Sequence, residues 1–302
     1  MVAASVARLR LASAGPLAKA LSLLRDVASR PAGAFGLAAV GGLLVVVAFA
    51  PLIAPFDYTH QDIVHRLQPP SWDHLLGTDQ LGRDLLSRLM FGARVALGVS
   101  VPAVGGALLA GLVLGVLGGY VGGWVDNAMI VIMDTLQAFP AVILALALLA
   151  LLGASLRTVI VVIIVAFAPN YVRVARALVL AVKQNPYVEA ERSLGASDLR
   201  IVFVHVLPNI LAPLFILLAM DIPSAITVEA GLSFLGLGVQ PPTPSWGVIL
   251  QDGFDRVFQD YWPILWAGVA LMLTTLGFTF LGETLRDVVD PKLAGLRRWR
   301  RA

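Results

Sequence analysis

Three groups of residues in this sequence place charge or reactivity where chemistry would use it. The first is the run YVEAERSLGASDLRIVFVHVLPN, Tyr187–Asn209, which gathers Glu189, Glu191, Arg192, Asp198 and Arg200 between two apolar stretches. Such side chains make charge-assisted hydrogen bonds across an interface, and Ala190, Gly195 and Ala196 let a second backbone come close. The second group is Asp134, Asp221 and Glu229, carboxylates in or near apolar runs. Ionisable groups in lipid are costly and face a cavity or a partner, so all three are candidates to line or gate a path. Structural pairing is the plainer alternative for Asp134 and Glu229. The third group is His60, His65 and His74 in one polar segment; their spacing matches no compact ligand set, and no metal site is expected.

The chain has no cysteine, which removes disulfides, thiolate metal sites and a cysteine nucleophile. Its lysines are Lys19, Lys183 and Lys292, and none follows a glycine, so the Gly-Lys-Ser/Thr phosphate loop is absent. No nucleophile–base pair is legible. The chain is therefore not expected to be an enzyme, and any ATP that drives it must be bound elsewhere.

The elements that hold these residues are membrane helices. The 302 residues are 58% hydrophobic and only 14% charged, where a soluble domain averages about 25% charged. Mean hydropathy is +0.85. Six spans are predicted: Phe35–Ala54, Val95–Gly119, Ala128–Gly153, Thr158–Val182, Ile210–Leu232 and Ile264–Gly282. The third is interrupted by Asp134 and Phe139-Pro140. The second carries Gly111, Gly115 and Gly119, a small-residue face for close helix packing in lipid. Between the first two spans, Asp79–Arg94 is predicted as an amphipathic helix at the interface. In Tyr187–Asn209 the expected order is a helix over Glu189–Leu194, a bend at Gly195-Ala196, a short helix capped by Ser197-Asp198, and Pro208 at the entry to the fifth span.

Basic residues crowd both termini, Arg8, Arg10, Lys19, Arg25 and Arg30 at one and Arg297, Arg298, Arg300 and Arg301 at the other. With six spans this puts both termini, and the Tyr187–Asn209 loop, in the cytoplasm. Arg66, Arg83, Arg88 and Arg94 in the first loop oppose that orientation. No signal peptide is expected, because the first long apolar run begins only near Phe35 and lacks a cleavage pattern. Nucleic acid is not an expected partner, since the bases flank spans.

Several of these residues fall into a known pattern. Glu189-Ala190, Gly195 and Leu207-Pro208 match the EAA loop of the permease subunits of ABC importers. The chain resembles the dipeptide/oligopeptide branch of that family from about Gly77 onward. Gly77-Thr78-Asp79, Gly82-Arg83-Asp84, Ser87-Arg88 and Gly92-Ala93-Arg94 are similar to that branch's external segment. Glu229-Ala230, then Leu232–Gly238, Gln240-Pro241-Pro242 and Pro244-Ser245-Trp246-Gly247, are its most specific signature. Two departures stand out: Glu191 replaces the third alanine of EAA, and His205 displaces the hydrophobic position before Leu207-Pro208.

The resemblance implies an all-α membrane protein of six transmembrane helices with the type I ABC importer permease fold. It implies a cytoplasmic tail, first helix and external segment over 1–93, a transmembrane domain over 94–283 with a coupling loop at about 183–209, and a basic tail over 284–302. The implied ATPase-coupling residues are Glu189, Ala190, Glu191, Gly195, Ala196, His205, Leu207 and Pro208. Asp134, Asp221 and Glu229 would line the path, and Pro241, Pro242 and Trp246 would face a binding protein. The implied partners are a homologous B-type permease, one or two ABC ATPases that bind ATP and Mg, an extracytoplasmic substrate-binding protein, a peptide and membrane lipid. The chain itself would hold no cofactor and would sit in a bacterial inner membrane. A nickel or other non-peptide importer subunit is the near alternative; an ion-coupled secondary transporter is the distant one.

Overall fold

The computed structural model describes residues 16–289. The basic positions at 8, 10 and 292–301 therefore lie outside the described residues. Helices α1 (Pro16–Ala28) and α2 (Pro31–Ile53) lead into a loop, then α3 (Leu85–Val121), α4 (Gly123–Ala138) and α5 (Ala141–Leu152). There follow α6 (Leu156–Lys183), the short α7 (Pro186–Ser193), α8 (Asp198–Phe234), α9 (Trp246–Phe254) and α10 (Trp262–Val289). By length and composition α2, α3, α6, α8 and α10 can each cross a membrane. Helices α4 and α5 make a sixth crossing when taken as one span, broken by a 94° bend. Pro140 stands at that break, where it can neither donate to a helix ladder nor let Phe139 stay helical.

The bundle is built on α3. Its glycines lie against α6, and a Cβ at Gly111 would run into Tyr171. One at Gly115 would sit 2.7 Å from the carbonyl of Val172, and one at Gly119 would sit 3.0 Å from that of Arg176. Only glycine lets the two backbones meet so closely, which is how membrane helices gain packing contacts where lipid is as apolar as the side chains. One apolar core fills the space between α3, α6 and α8 with Val99, Ala103, Ala107, Ile163, Tyr171, Ile210 and Leu214. A second, with Leu85, Leu89, Ala96, Ile226, Trp246 and Ile249, joins α3 to α8, α9 and α10. Helix α2 lies on α10, with Gly36 packed on Gly277.

Two sequence expectations are corrected. Asp79–Arg94 is not a separate interfacial helix. Residues 79–84 form tight turns, and Leu85 begins α3, which continues through Arg94 without a break. Asp84 caps that start, its Oδ2 accepting from the Ser87 N–H and hydroxyl, each at 2.8 Å. Arg83 and Arg88 are consequently buried and not spread on a lipid surface. The second short helix of the loop is likewise continuous with the fifth span, giving the 37 residues of α8. Its ladder widens to a π-helical stretch at Ile201–Val206 just before Pro208, whose missing N–H is accommodated by that widening.

Candidate functional site

The charged run of the second half forms a compact structure at one end of the bundle. Pro186 starts α7 and the fully buried Val188 pins the helix down. Glu189 and Ala190 are exposed, Leu194 is 84% exposed, and Leu199 is exposed as well. The helix ends at Gly195, which has φ +84°, while the Ala196 N–H donates to the Glu191 carbonyl at 3.0 Å. A Cβ at Gly195 would meet nothing within 4 Å. Glycine is needed there for the left-handed turn, not for close packing inside this chain. The Glu191 carboxylate lies 3.6 Å from Nε2 of His205, so the two departures from the EAA pattern face each other. Ala196 and Leu207 border an apolar groove of about 1150 Å³ between α3 and α8, and Pro208 is exposed.

Tyr120, which the sequence reading passed over, ties this structure to α3. Its hydroxyl donates to Asp198 Oδ1 at 2.6 Å and accepts from Arg192 Nη2 at 3.4 Å. That hydroxyl bond is the main cause of a raised Arg192 pKa. Lys183 Nζ donates to the Tyr120 carbonyl at 2.6 Å and stands over its ring. A tyrosine directly after a glycine-rich face, at a membrane boundary, was the available signal.

The carboxylates in the spans have different surroundings. Asp134 on α4 accepts from Arg173 Nη2 at 3.0 Å, and the same nitrogen donates to Gln137 Oε1 at 2.6 Å. One turn along α6, Arg176 is held by both oxygens of Asp126, at 2.5 and 2.7 Å. These pairs border a cavity of about 400 Å³ between α3, α4 and α6. Asp221 on α8 neighbours the buried Tyr171 hydroxyl of α6, yet Asp221 Oδ2 and Tyr171 Oη make no hydrogen bond of good geometry. Glu229 is fully buried and its Oε1 accepts from Ser233 Oγ at 2.8 Å. That hydroxyl also accepts from the Val239 N–H at 3.2 Å, so Glu229 supports the loop before α9.

The opposite end of the bundle explains the Gly-Thr-Asp and Ser-Arg motifs. Asp79 Oδ2 pairs with Arg88 and, at 2.6 Å, with Arg83 Nε. Both arginines also reach Asp252 on α9, at 3.5 and 3.6 Å. Burial pushes the nearby Asp260 carboxyl above its ordinary pKa. Trp246 is buried, not displayed: its Nε1 donates to the Leu89 carbonyl at 3.0 Å and its ring covers Gly92. Only Pro241 and Pro242 of the expected outer trio are exposed. His74 pairs with Asp84 at 3.0 Å. Among the described residues no three His, Cys, Asp or Glu side chains are placed to hold a metal.

The family described as "Binding-protein-dependent transport system inner membrane component" matches residues 111–295, and "N-terminal TM domain of oligopeptide transport permease C" matches residues 22–70. The di/tripeptide transport system permease protein DppC of Pseudomonas aeruginosa is 41% identical, covering 84% of this chain and 88% of that protein. The dipeptide permease DppC of Alkalihalophilus pseudofirmus is 38% identical over 85% of both chains. The oligopeptide permease OppC of Bacillus subtilis is 35% identical over 91% of this chain and 92% of its own. Among solved structures, a chain of the MetNI methionine ABC transporter in inward facing conformations superposes with a TM-score of 0.54 at 21% identity. It covers 68% of this chain and 97% of its own length, a likeness of fold. This chain is thus a multi-pass membrane protein of the binding-protein-dependent transport family, an inner membrane permease component with the type I ABC importer fold.

Proposed function

We propose that this chain is one half of the translocation path of an ATP-driven importer of di- or oligopeptides. The observation that carries the reading is α7: an eight-residue helix with an exposed face, ended by a left-handed glycine, tied to α3 by Arg192 on the Tyr120 hydroxyl and to α8 by Glu191 beside His205. A rigid, tethered helix of that kind can pass a push from a docked protein to two spans at once. The docked protein is a cytoplasmic ATPase that binds ATP and Mg. The α7 end therefore faces the cytoplasm, as do both termini, and the α9 end faces the extracytoplasmic binding protein. A homologous B-type permease supplies the other half of the path. The transport core runs over about 94–283, and 1–93 is an addition to it. The peptide substrate is inferred from the relatives, named as dipeptide, di/tripeptide and oligopeptide permeases.

The test is co-purification of the tagged chain from its native membrane, followed by ATP hydrolysis with peptide and binding protein added. Recovery of a second permease and ATPases, with hydrolysis stimulated by peptide-loaded binding protein, is the expected result. Stimulation by a metal or sugar alone would replace the substrate. Uptake by the chain alone, driven by an ion gradient, would overturn the reading.

A further inference from the structure

Arg94 is an exposed arginine of α3 with no counter-charge among the described residues. Its guanidinium stands over the Phe91 ring, 5.9 Å from the centroid, and makes no hydrogen bond or ion pair there. Both two-point edges of its fork are therefore free, whereas Arg83, Arg88, Arg173 and Arg176 are each paired with an aspartate. With Tyr58, Phe91, Leu156, Thr243 and Pro244, Arg94 lines a pocket of about 310 Å³. The loops that supply its walls are pinned to α3. The Phe56 N–H donates to Ser87 Oγ at 3.1 Å, and the Tyr58 ring lies on Phe91 at 4.5 Å between centroids. Trp246, bonded to the Leu89 carbonyl, holds the segment of Thr243 and Pro244. The hydroxyls of Tyr58 and Thr243 have no hydrogen-bond partner among the described residues. Asp57, the acid beside Tyr58 in the chain, gives its Oδ1 to the Thr59 N–H and hydroxyl. A free cation, two free hydroxyls and apolar walls in a volume of this size are the make-up of a small-molecule site.

Helix α6 fixes the depth of the pocket. It begins at Leu156 in the pocket wall and ends at Lys183, on the Tyr120 carbonyl. That is about 40 Å at 1.5 Å per residue, more than the ~30 Å of a hydrocarbon core, so the pocket lies at the membrane boundary opposite α7. Gly98, Gly105 and Leu109 follow Arg94 on one face of α3 by helical spacing. A Cβ at either glycine would meet nothing within 4 Å, and Leu109 opens the groove of about 1150 Å³.

We propose that Arg94, with Tyr58 and Thr243, is an entry subsite for the free carboxylate of a peptide released at the outer mouth of the permease. The planar fork matches a carboxylate at two points, and the hydroxyls can donate to the same group. The Tyr58 and Phe91 rings take the adjoining side chain by apolar contact, without selecting it. The charge of Arg94 repels a peptide amine, so the carboxylate end is the one held. This inference rests on the peptide reading and the orientation given above.

The chain has no cysteine, so Gly98→Cys places its single thiol in the pocket wall, where a side chain has room. Maleimide labelling of this thiol is timed in the purified importer complex without binding protein, both nucleotide-free and with ATP and vanadate. The probes are alanyl-phenylalanine and its C-terminal amide. In at least one of the two states the free-carboxylate peptide is expected to slow labelling at a concentration about tenfold lower than the amide requires. With Arg94→Gln added, the two peptides become equal to within about twofold. Arg94→Lys, which keeps the charge and loses the fork, falls between, and it supplies the comparison if Arg94→Gln does not assemble. Equal protection by both peptides, protection by neither, or a thiol that never labels would overturn the subsite while leaving peptide transport in place. Protection by phosphatidylglycerol instead would give the site to a lipid and overturn it as well. A wild-type importer that moves no peptide in liposomes with its binding protein would overturn both the subsite and the peptide reading.

Discussion

The hydroxyl of Tyr120, at the end of α3, donates to Asp198, at the start of α8, across 2.6 Å. This bond and the Lys183–Tyr120 contact link three long helices at the point where α7 projects. The site is exposed, so the bond contributes only about 1 kcal/mol to stability. It ties the start of α8 to the end of α3, and Arg192 ties α7 to the same hydroxyl. Tyr120→Phe is expected to leave the thermal midpoint of the purified complex nearly unchanged and to lower the uptake obtained per ATP hydrolysed severalfold. An unchanged uptake-to-hydrolysis ratio would detach Tyr120 from coupling.

Gly195 separates two reasons for a glycine. Because a Cβ there meets nothing within 4 Å while φ is +84°, a residue that tolerates the left-handed region should serve. Gly195→Asn is expected to keep coupling and Gly195→Val to cost about 1–2 kcal/mol of local strain and uncouple hydrolysis from uptake. Gly195→Trp adds bulk on the exposed face and is expected to assemble but fail in ATPase docking, read by loss of the ATPase on co-purification.

Asp79 sits between two buried arginines, while Asp252 reaches the same pair from farther away and with more exposure. Asp79→Asn leaves the buried guanidinium of Arg88 with only the longer contact to Asp252 and should cost about 3–5 kcal/mol. Asp252→Asn should cost nearer 1 kcal/mol. Thermal unfolding in detergent ranks the two, and equal losses would contradict the buried-network account.

Trp246 fastens α9 to α3 through both its nitrogen and its ring face. Trp246→Phe loses the bond to Leu89 and some volume, a cost of about 2–3 kcal/mol. Gly92→Val drives a side chain into the indole, whose Cδ1 would lie only 2.8 Å from the new Cβ, with a similar cost. Trypsin susceptibility of the segment around Arg256 is the readout, and resistance equal to wild type in both variants would argue against the fastening role.

Asp221 and Tyr171 face each other between α8 and α6 without a well-formed hydrogen bond, an arrangement suited to two helices that shift. Asp221→Asn is expected to change the rate of uptake severalfold while assembly is retained. A variant with wild-type rate and substrate profile would remove Asp221 from the path.

Much of this protein follows from local pattern. Uninterrupted apolar length predicts the spans, Pro140 the broken third one, and the spacing of Gly111, Gly115 and Gly119 a close helix contact. Each depends on residues near one another in the chain, where backbone sterics and the bilayer leave few choices. What the chain order conceals is pairing over distance. Nothing local says that Gly111 meets Tyr171, that Asp79 shares its arginines with Asp252, or that Tyr120 holds Asp198. The same holds for Trp246, whose position in an outer motif reads as an exposed contact until Leu89 and Gly92 are brought beneath it. Arg173 and Arg176 are equivalent in sequence, and only the approach of α4 gives one a two-point pairing with Asp126 and the other a single nitrogen shared between Asp134 and Gln137. Helix identity is decided within a few residues, whereas the partner of each charge is decided by how the helices cross.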